Sequence, residues 1–150
     1  MYIWDSDTFS DYLREAGETG NDAPITFRLS QVKREEVAIT VVTIGEVMSG
    51  MLNLLTQLEK VGKQEAGFAV LRHAFEALQD FPLLDYGAAA HTRFQTFSAS
   101  VRRTGRADCQ IATIAIERGD TVVTQNVRHF AQIPGVRFTD WTRPDGFQAR

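Results

Sequence analysis

Residues 36–43 read EVAITVVT, a run of β-branched and apolar side chains without clean polar alternation. Such a strand needs cover on both faces, which a parallel sheet between layers of helices supplies. Four more short runs repeat the signal: Tyr2-Ile3-Trp4, Phe81–Leu84, Thr121–Thr124 and VRFTDW near the C-terminus. Between them lie segments of helical period. Phe9, Tyr12 and Leu13 share one face of a helix from Thr8 to Arg14, and Pro24 opens another that reaches about Lys33. Helix resumes at Ile44 through GEVMSGMLNLLTQLEK, and Phe68, Leu71, Phe75 and Leu78 stand at helical spacing between Gln64 and Leu78. YGAAAHTRFQTFSASVRR reads as one helix with Phe94 and Phe97 inward, Asp108 starts the next, and a short turn of helix covers Val127–Phe130. Alternation of this kind predicts an α/β fold with a mainly parallel central sheet of about five strands flanked by helices. No repeat, low-complexity segment or long linker divides the chain, so residues 1–150 are expected to form a single domain.

Composition narrows the setting. The 150 residues are 43% hydrophobic and 23% charged with a formal net charge of −3, which offers no global basic field for coating nucleic acid. The lone cysteine, Cys109, permits no internal disulfide and fits a reducing cytoplasm. No apolar stretch is read as approaching the roughly 18 residues needed to span a bilayer. The start, MYIWDSDTFSDYL, lacks the basic region of a signal peptide. A cytoplasmic protein without a membrane partner is expected.

Open parallel sheets bind ligands beyond the carboxyl ends of their strands, where the chain order switches. Polar oxygen groups recur there in this sequence: Asp5-Ser6-Asp7 after the first strand, Thr43 to Glu46 after the second, Asp85 after the third, and Asn126 after the fourth, with Asp108 opening the helix that leads into it. Each has a plain structural explanation. Thr43-x-x-Glu46 fits a capping box, while Asp7, Asp85, Asp108 and Asn126 fit helix caps. Asp5 is harder to explain, because it closes a buried strand two residues before the better cap, Asp7. Carboxylates gathered at strand ends oppose folding unless compensated, and a divalent cation held by hard oxygen ligands compensates them. Zinc fits poorly with one cysteine and with His73, His91 and His129 at no zinc-ligand spacing; these histidines read as surface or helix-face groups. Arg102, Arg103 and Arg106 precede Asp108 as either a solvated helix end or a phosphate contact. No nucleophile elbow, P-loop or dinucleotide fingerprint is present.

Taken together, MYIWDSDTFSDYLR, EEVAITVVTIGEVMSG, RADCQIATIAIERGDTVVTQNVRHF and IPGVRFTDW resemble the VapC-type toxins among the PIN-domain ribonucleases, in order and spacing and over nearly the whole chain. The resemblance implies a single PIN-like domain and a metal-dependent endoribonuclease using Mg²⁺ or Mn²⁺. It places Asp5, Glu46 and Asp108 as the acidic trio, Asn126 as a fourth group, and Asp7 and Thr124 as supporting residues. It also implies an RNA substrate, a homodimer, and a cognate antitoxin seated on MLNLLTQL and the Pro24–Lys33 helix, residues that would otherwise be plain core. The sequence departs from the family pattern at His129, where an Asp is expected.

Two other readings remain open at this point. A non-catalytic PIN-like module that binds RNA or protein would explain the missing acid at 129, though the acidic trio argues against it. A phosphorylatable signalling domain also clusters acids at strand ends, but it needs a late lysine, and none follows Lys63.

Overall fold

β1 (Tyr2–Trp4) lies inside the sheet, paired in parallel with β2 (Val37–Thr40) on one side and β4 (Thr121–Val123) on the other. β3 (Leu83–Leu84) and β5 (Arg137–Asp140) extend the parallel array outward, and β6 (Phe147–Ala149) adds an antiparallel edge. The order is β3-β2-β1-β4-β5-β6 in a computed structural model that describes residues 1–16, 18–143 and 147–149. The five parallel strands match the expected sheet, and the antiparallel edge adds to it.

Alternation along the strands sends side chains into two cores, one on each face. Trp4, Val37, Ile39 and Val123 join Phe9 and Phe81 beneath α1 (Ser6–Arg14), α2 (Pro24–Leu29), α3 (Val41–Lys60) and α4 (Gln64–Leu78). Ile3, Val122 and Phe138 meet Phe94, Ile111 and Phe130 on the opposite face. That second layer is built from α5 (Ala88–Thr96), α6 (Ala99–Thr104), α7 (Arg106–Arg118) and α8 (Val127–Phe130). The single helix expected between Tyr86 and Arg103 is therefore two. Phe97 leaves helical geometry and the Ser98 hydroxyl accepts from the Val101 amide to start the second.

α3 starts at Val41, three residues before the expected Ile44, because the Thr40 side chain caps it, accepting from the Thr43 amide at 3.0 Å. Counting Val41–Thr43 as helix also corrects the membrane reading. α3 has 20 residues and holds an 18-residue window of mean hydropathy 1.3, so it is long and apolar enough to cross a bilayer by length and composition alone. Here it packs against α1, α4 and α7. Gly67 lets α4 lie close to it, since a Cβ there would meet Leu55 Cδ1 at 2.7 Å. The outer side of this hairpin remains apolar: Leu52, Phe68 and Phe75 are each more than half exposed, as is Phe27 on α2. The Phe68/Phe75 stripe thus faces out, while Gly67, Ala74, Ala77 and Leu78 face in.

α2 ends at Leu29, sooner than expected, and its start is held from outside. No side chain of its own caps it, and Glu15, buried at the end of α1, accepts from the Ile25 amide at 3.0 Å and the Thr26 amide at 2.7 Å. Replacing Glu15 by Ala strands both donors at a helix N-terminus. The expected loss is about 2–3 kcal/mol of unfolding free energy, read from urea midpoints, with Glu15→Gln losing less.

Candidate active site

The chain runs outward from β1 to β2 and β3, then returns to place β4 on the other side of β1. The order switches between β1 and β4, which makes the crevice at their carboxyl ends the expected ligand position. Threonine hydroxyls bind these ends together. Thr8 Oγ1 donates to the Val123 carbonyl at 2.9 Å, and Thr43 Oγ1 donates to the Trp4 carbonyl at 3.1 Å. Thr124 Oγ1, fully buried, accepts from the Asn126 amide at 2.9 Å.

Asp5 stands at this switch point, 2% exposed, and it is the cap of α1. Its Oδ1 accepts from the Thr8 amide at 2.8 Å, which displaces Asp7 from the capping role the sequence suggested. The helix begins at Ser6, so Asp7 falls in its first turn, exposed. Burial pushes the Asp5 carboxyl up to about 6, against hydrogen bonds from Thr124 and Thr8, and the Asp7 charge pushes the same way.

Asp5, the residue without a plain structural explanation in the sequence, is thus a true cap, and the caps read from the sequence at the other positions fail. Thr40, and not Thr43, caps α3, so no capping box holds Glu46; its Oε2 instead accepts from the Ser6 hydroxyl at 2.9 Å. Asp108 is the third residue of α7, whose cap is Gly105. Asn126 precedes α8 without a capping bond from its side chain. Its Nδ2 donates to Asp108 Oδ2 at 2.9 Å. Asp85 caps nothing either: it is exposed, and α5 is capped at Gly87.

Burial raises the Glu46 carboxyl against the Ser6 hydrogen bond, and the charges of Asp108 and Asp7 raise it further. The Asp108 carboxyl is raised by burial and by the Asp7 charge, while its contacts with His129 and Asn126 act the other way. Asp5, Asp7, Glu46 and Asp108 therefore share one electrostatic field, and Thr124 supports it from below. Gly105 is a cradle for the Asp108 carboxylate: a Cβ there would sit 2.8 Å from Oδ2.

The chemistry of this donor set, carboxylate oxygens whose charged forms are disfavoured as they stand, fits a hard divalent cation. The side chains do not close into a ready cage, because no three His, Cys, Asp or Glu groups among the described residues converge to hold a metal.

His129 reads on its own as a surface or helix-face histidine, while the family resemblance sets it where an acid of the site is expected; the structure puts it in the site. Its Nδ1 lies 2.8 Å from Asn126 Nδ2 and 3.2 Å from Asp108 Oδ2. The interval Asn126-x-x-His129, one helical turn on one face, carries the same signal without the resemblance. Of the arginines, Arg106 opens the helix that carries Asp108, and its guanidinium and that of Arg102 lie 5.7 and 5.8 Å from the centroid of the buried Phe94 ring. Arg103 is exposed on α6.

Known proteins give this arrangement a context. No family model matches the sequence. The DNA-bound VapBC crystal structure from Salmonella typhimurium superposes with a TM-score of 0.69 at 27% identity, over 93% of this chain and 97% of that one. The fold is thus that of the PIN-like nucleases. Over 120 residues the chain is 33% identical to the tRNA(fMet)-specific endonuclease VapC of Shigella flexneri, which covers 77% of this chain and 81% of that protein. The protein of the same description from Salmonella typhimurium strain LT2 is 34% identical over 95 residues, 61% of this chain and 70% of that one. The chain belongs to the VapC family of endonucleases.

Proposed function

We propose that this chain is the toxin of a toxin–antitoxin pair, acting in the cytoplasm as a metal-dependent endoribonuclease on transfer RNA. The observation that carries the reading is the shared field of Asp5, Asp7, Glu46 and Asp108 at the switch point of the sheet. The substrate class follows the description of the two relatives at 33% and 34% identity.

Asp5, Glu46 and Asp108 would hold Mg²⁺ or Mn²⁺. When bound, such a cation supplies Lewis acidity toward water and the phosphate oxygens. The chain's own groups do the rest. Thr8 and Thr124 fix the Asp5 carboxylate, Ser6 fixes Glu46, and the Gly105 cradle together with Asn126 fixes Asp108. Arg102 and Arg106, steadied on Phe94, are placed to meet backbone phosphates of the RNA, with exposed Arg103 beside them. The antitoxin would cover the apolar hairpin of α3 and α4 with Phe27 of α2, surface too apolar to be left open. Residues 1–150 act as one domain in this reading, paired in a homodimer.

The test is cleavage of a transfer-RNA pool by the purified chain in Mg²⁺, in Mn²⁺ and in EDTA, beside Asp108→Asn. Discrete fragments are expected only with metal, and the variant should lose at least about 100-fold, the scale that groups merely supporting a metal ligand already reach. Fragments that persist in EDTA and in the variant would overturn the metal reading. Binding of RNA without cleavage would favour the non-catalytic module.

A further inference from the structure

The Asp108–Asn126–His129 cluster has a geometry that the acidic trio lacks. Asp108 Oδ2, Asn126 Nδ2 and His129 Nδ1 form a closed triangle with edges of 2.9, 2.8 and 3.2 Å. Adjacent ligands of an octahedral ion at about 2.1 Å lie √2 times that distance apart, about 3.0 Å. The three atoms are thus spaced as one face of an octahedron. With the imidazole neutral and its proton on Nε2, the carboxylate oxygen and the ring nitrogen are both acceptors that converge on a single amide group. A donor hydrogen at such a point occupies ground that a cation can take. A half-turn of the Asn126 amide exchanges Nδ2 for Oδ1 at the same corner and turns the third atom into a ligand as well.

We propose that Asp108 Oδ2, His129 Nδ1 and the Asn126 amide oxygen form one face of a divalent-cation site, and that the imidazole on this face makes the site favour first-row transition ions such as Mn²⁺ or Co²⁺ over Mg²⁺. The inference rests on the metal-dependent reading and deepens it. Mg²⁺ keeps an all-oxygen shell of carboxylates and water, whereas transition ions accept imidazole nitrogen. An aspartate at position 129 would present oxygen alone and remove that preference. Other acids add negative charge near Asp108, Glu46 from α3 and Asp7 from α1. The Gly105 cradle leaves Oδ2 the room to face it.

The experiment needs no RNA. Mn²⁺ binding to the full chain is followed through the EPR signal of the free ion with Mg²⁺ as competitor, and Co²⁺ binding through its visible spectrum, in the wild type, His129→Asp and His129→Ala. Circular dichroism confirms that each variant is folded, which the partial exposure of this side chain favours. The expected result is that displacing Mn²⁺ takes at least about tenfold more Mg²⁺ in the wild type than in His129→Asp. The Co²⁺ spectrum should change in both variants, as loss of a nitrogen ligand requires. Equal Mg²⁺ competition and an unchanged Co²⁺ spectrum in the variants would overturn the role of His129 and leave the metal reading standing. Absence of any divalent-ion binding by the wild type would overturn both.

Discussion

Asp5→Asn should abolish RNA cleavage and, at neutral pH, make the protein more stable. The two effects have one cause. Asp5 is 2% exposed, and burial raises its carboxyl to about 6 from an ordinary 3.8. Between those values the folded chain holds a proton that the unfolded chain has released, so raising the pH through that window lowers stability. Below about pH 3.8 both states are protonated and the group costs nothing; above about 6 the charged form carries its full cost. A difference of about two pH units corresponds to roughly 3 kcal/mol, an upper bound once altered hydrogen bonds are counted. Asparagine is as good a helix cap as aspartate and can still accept from the Thr8 amide, so the start of α1 survives. Urea midpoints from pH 4 to 8 should therefore fall with pH in the wild type through this window, and the part due to Asp5 should vanish in the variant. A divalent cation at pH 7 should raise the wild-type midpoint more than the variant's, since it relieves the same charge. Were Asp5 only a cap, the substitution would leave cleavage intact.

That result would also explain which parts of the site could be read from the chain. The strand runs were legible because a buried parallel strand has a compositional signature that needs no tertiary information, and β1, β2 and β4 fell within a few residues of expectation. Helix starts were less legible, since a cap depends on which hydroxyl or carboxylate the backbone brings to the first turn. Thr40 and Thr43 are equally good caps in sequence; the fold decides for Thr40 because Thr43 Oγ1 is committed to the Trp4 carbonyl on the neighbouring strand. The decision matters for function. It takes Glu46 out of a capping box and leaves its carboxylate to Ser6 and the crevice. The family pattern pointed to position 129, but the contacts of His129 were obscured for a related reason. Its partners Asn126 and Asp108 are 3 and 21 positions away, and only the packing of α7 against β4 and α8 brings Asp108 to it.

Gly105→Ala should separate site from scaffold as sharply as any loss of an acid. Gly105 has φ of 170°, extended backbone that any residue adopts, so alanine introduces no backbone strain there. As the residue before α7 it caps the helix without a side chain, and glycine gives way to alanine at such a position for about 1 kcal/mol. The fold should therefore persist, with a midpoint lowered by no more than that. The new Cβ would stand 2.8 Å from Asp108 Oδ2, closer than carbon and oxygen tolerate without a bond, and the carboxylate must move. Displacement of a reacting group by about 1 Å can lower an enzymatic rate about 100-fold. Cleavage should fall on that scale, and Mn²⁺ binding should weaken with it, while circular dichroism stays unchanged. A variant that cuts RNA at the wild-type rate would show that the Asp108 carboxylate is not held where the chemistry needs it, and the centre would then have to be built on Asp5 and Glu46 alone.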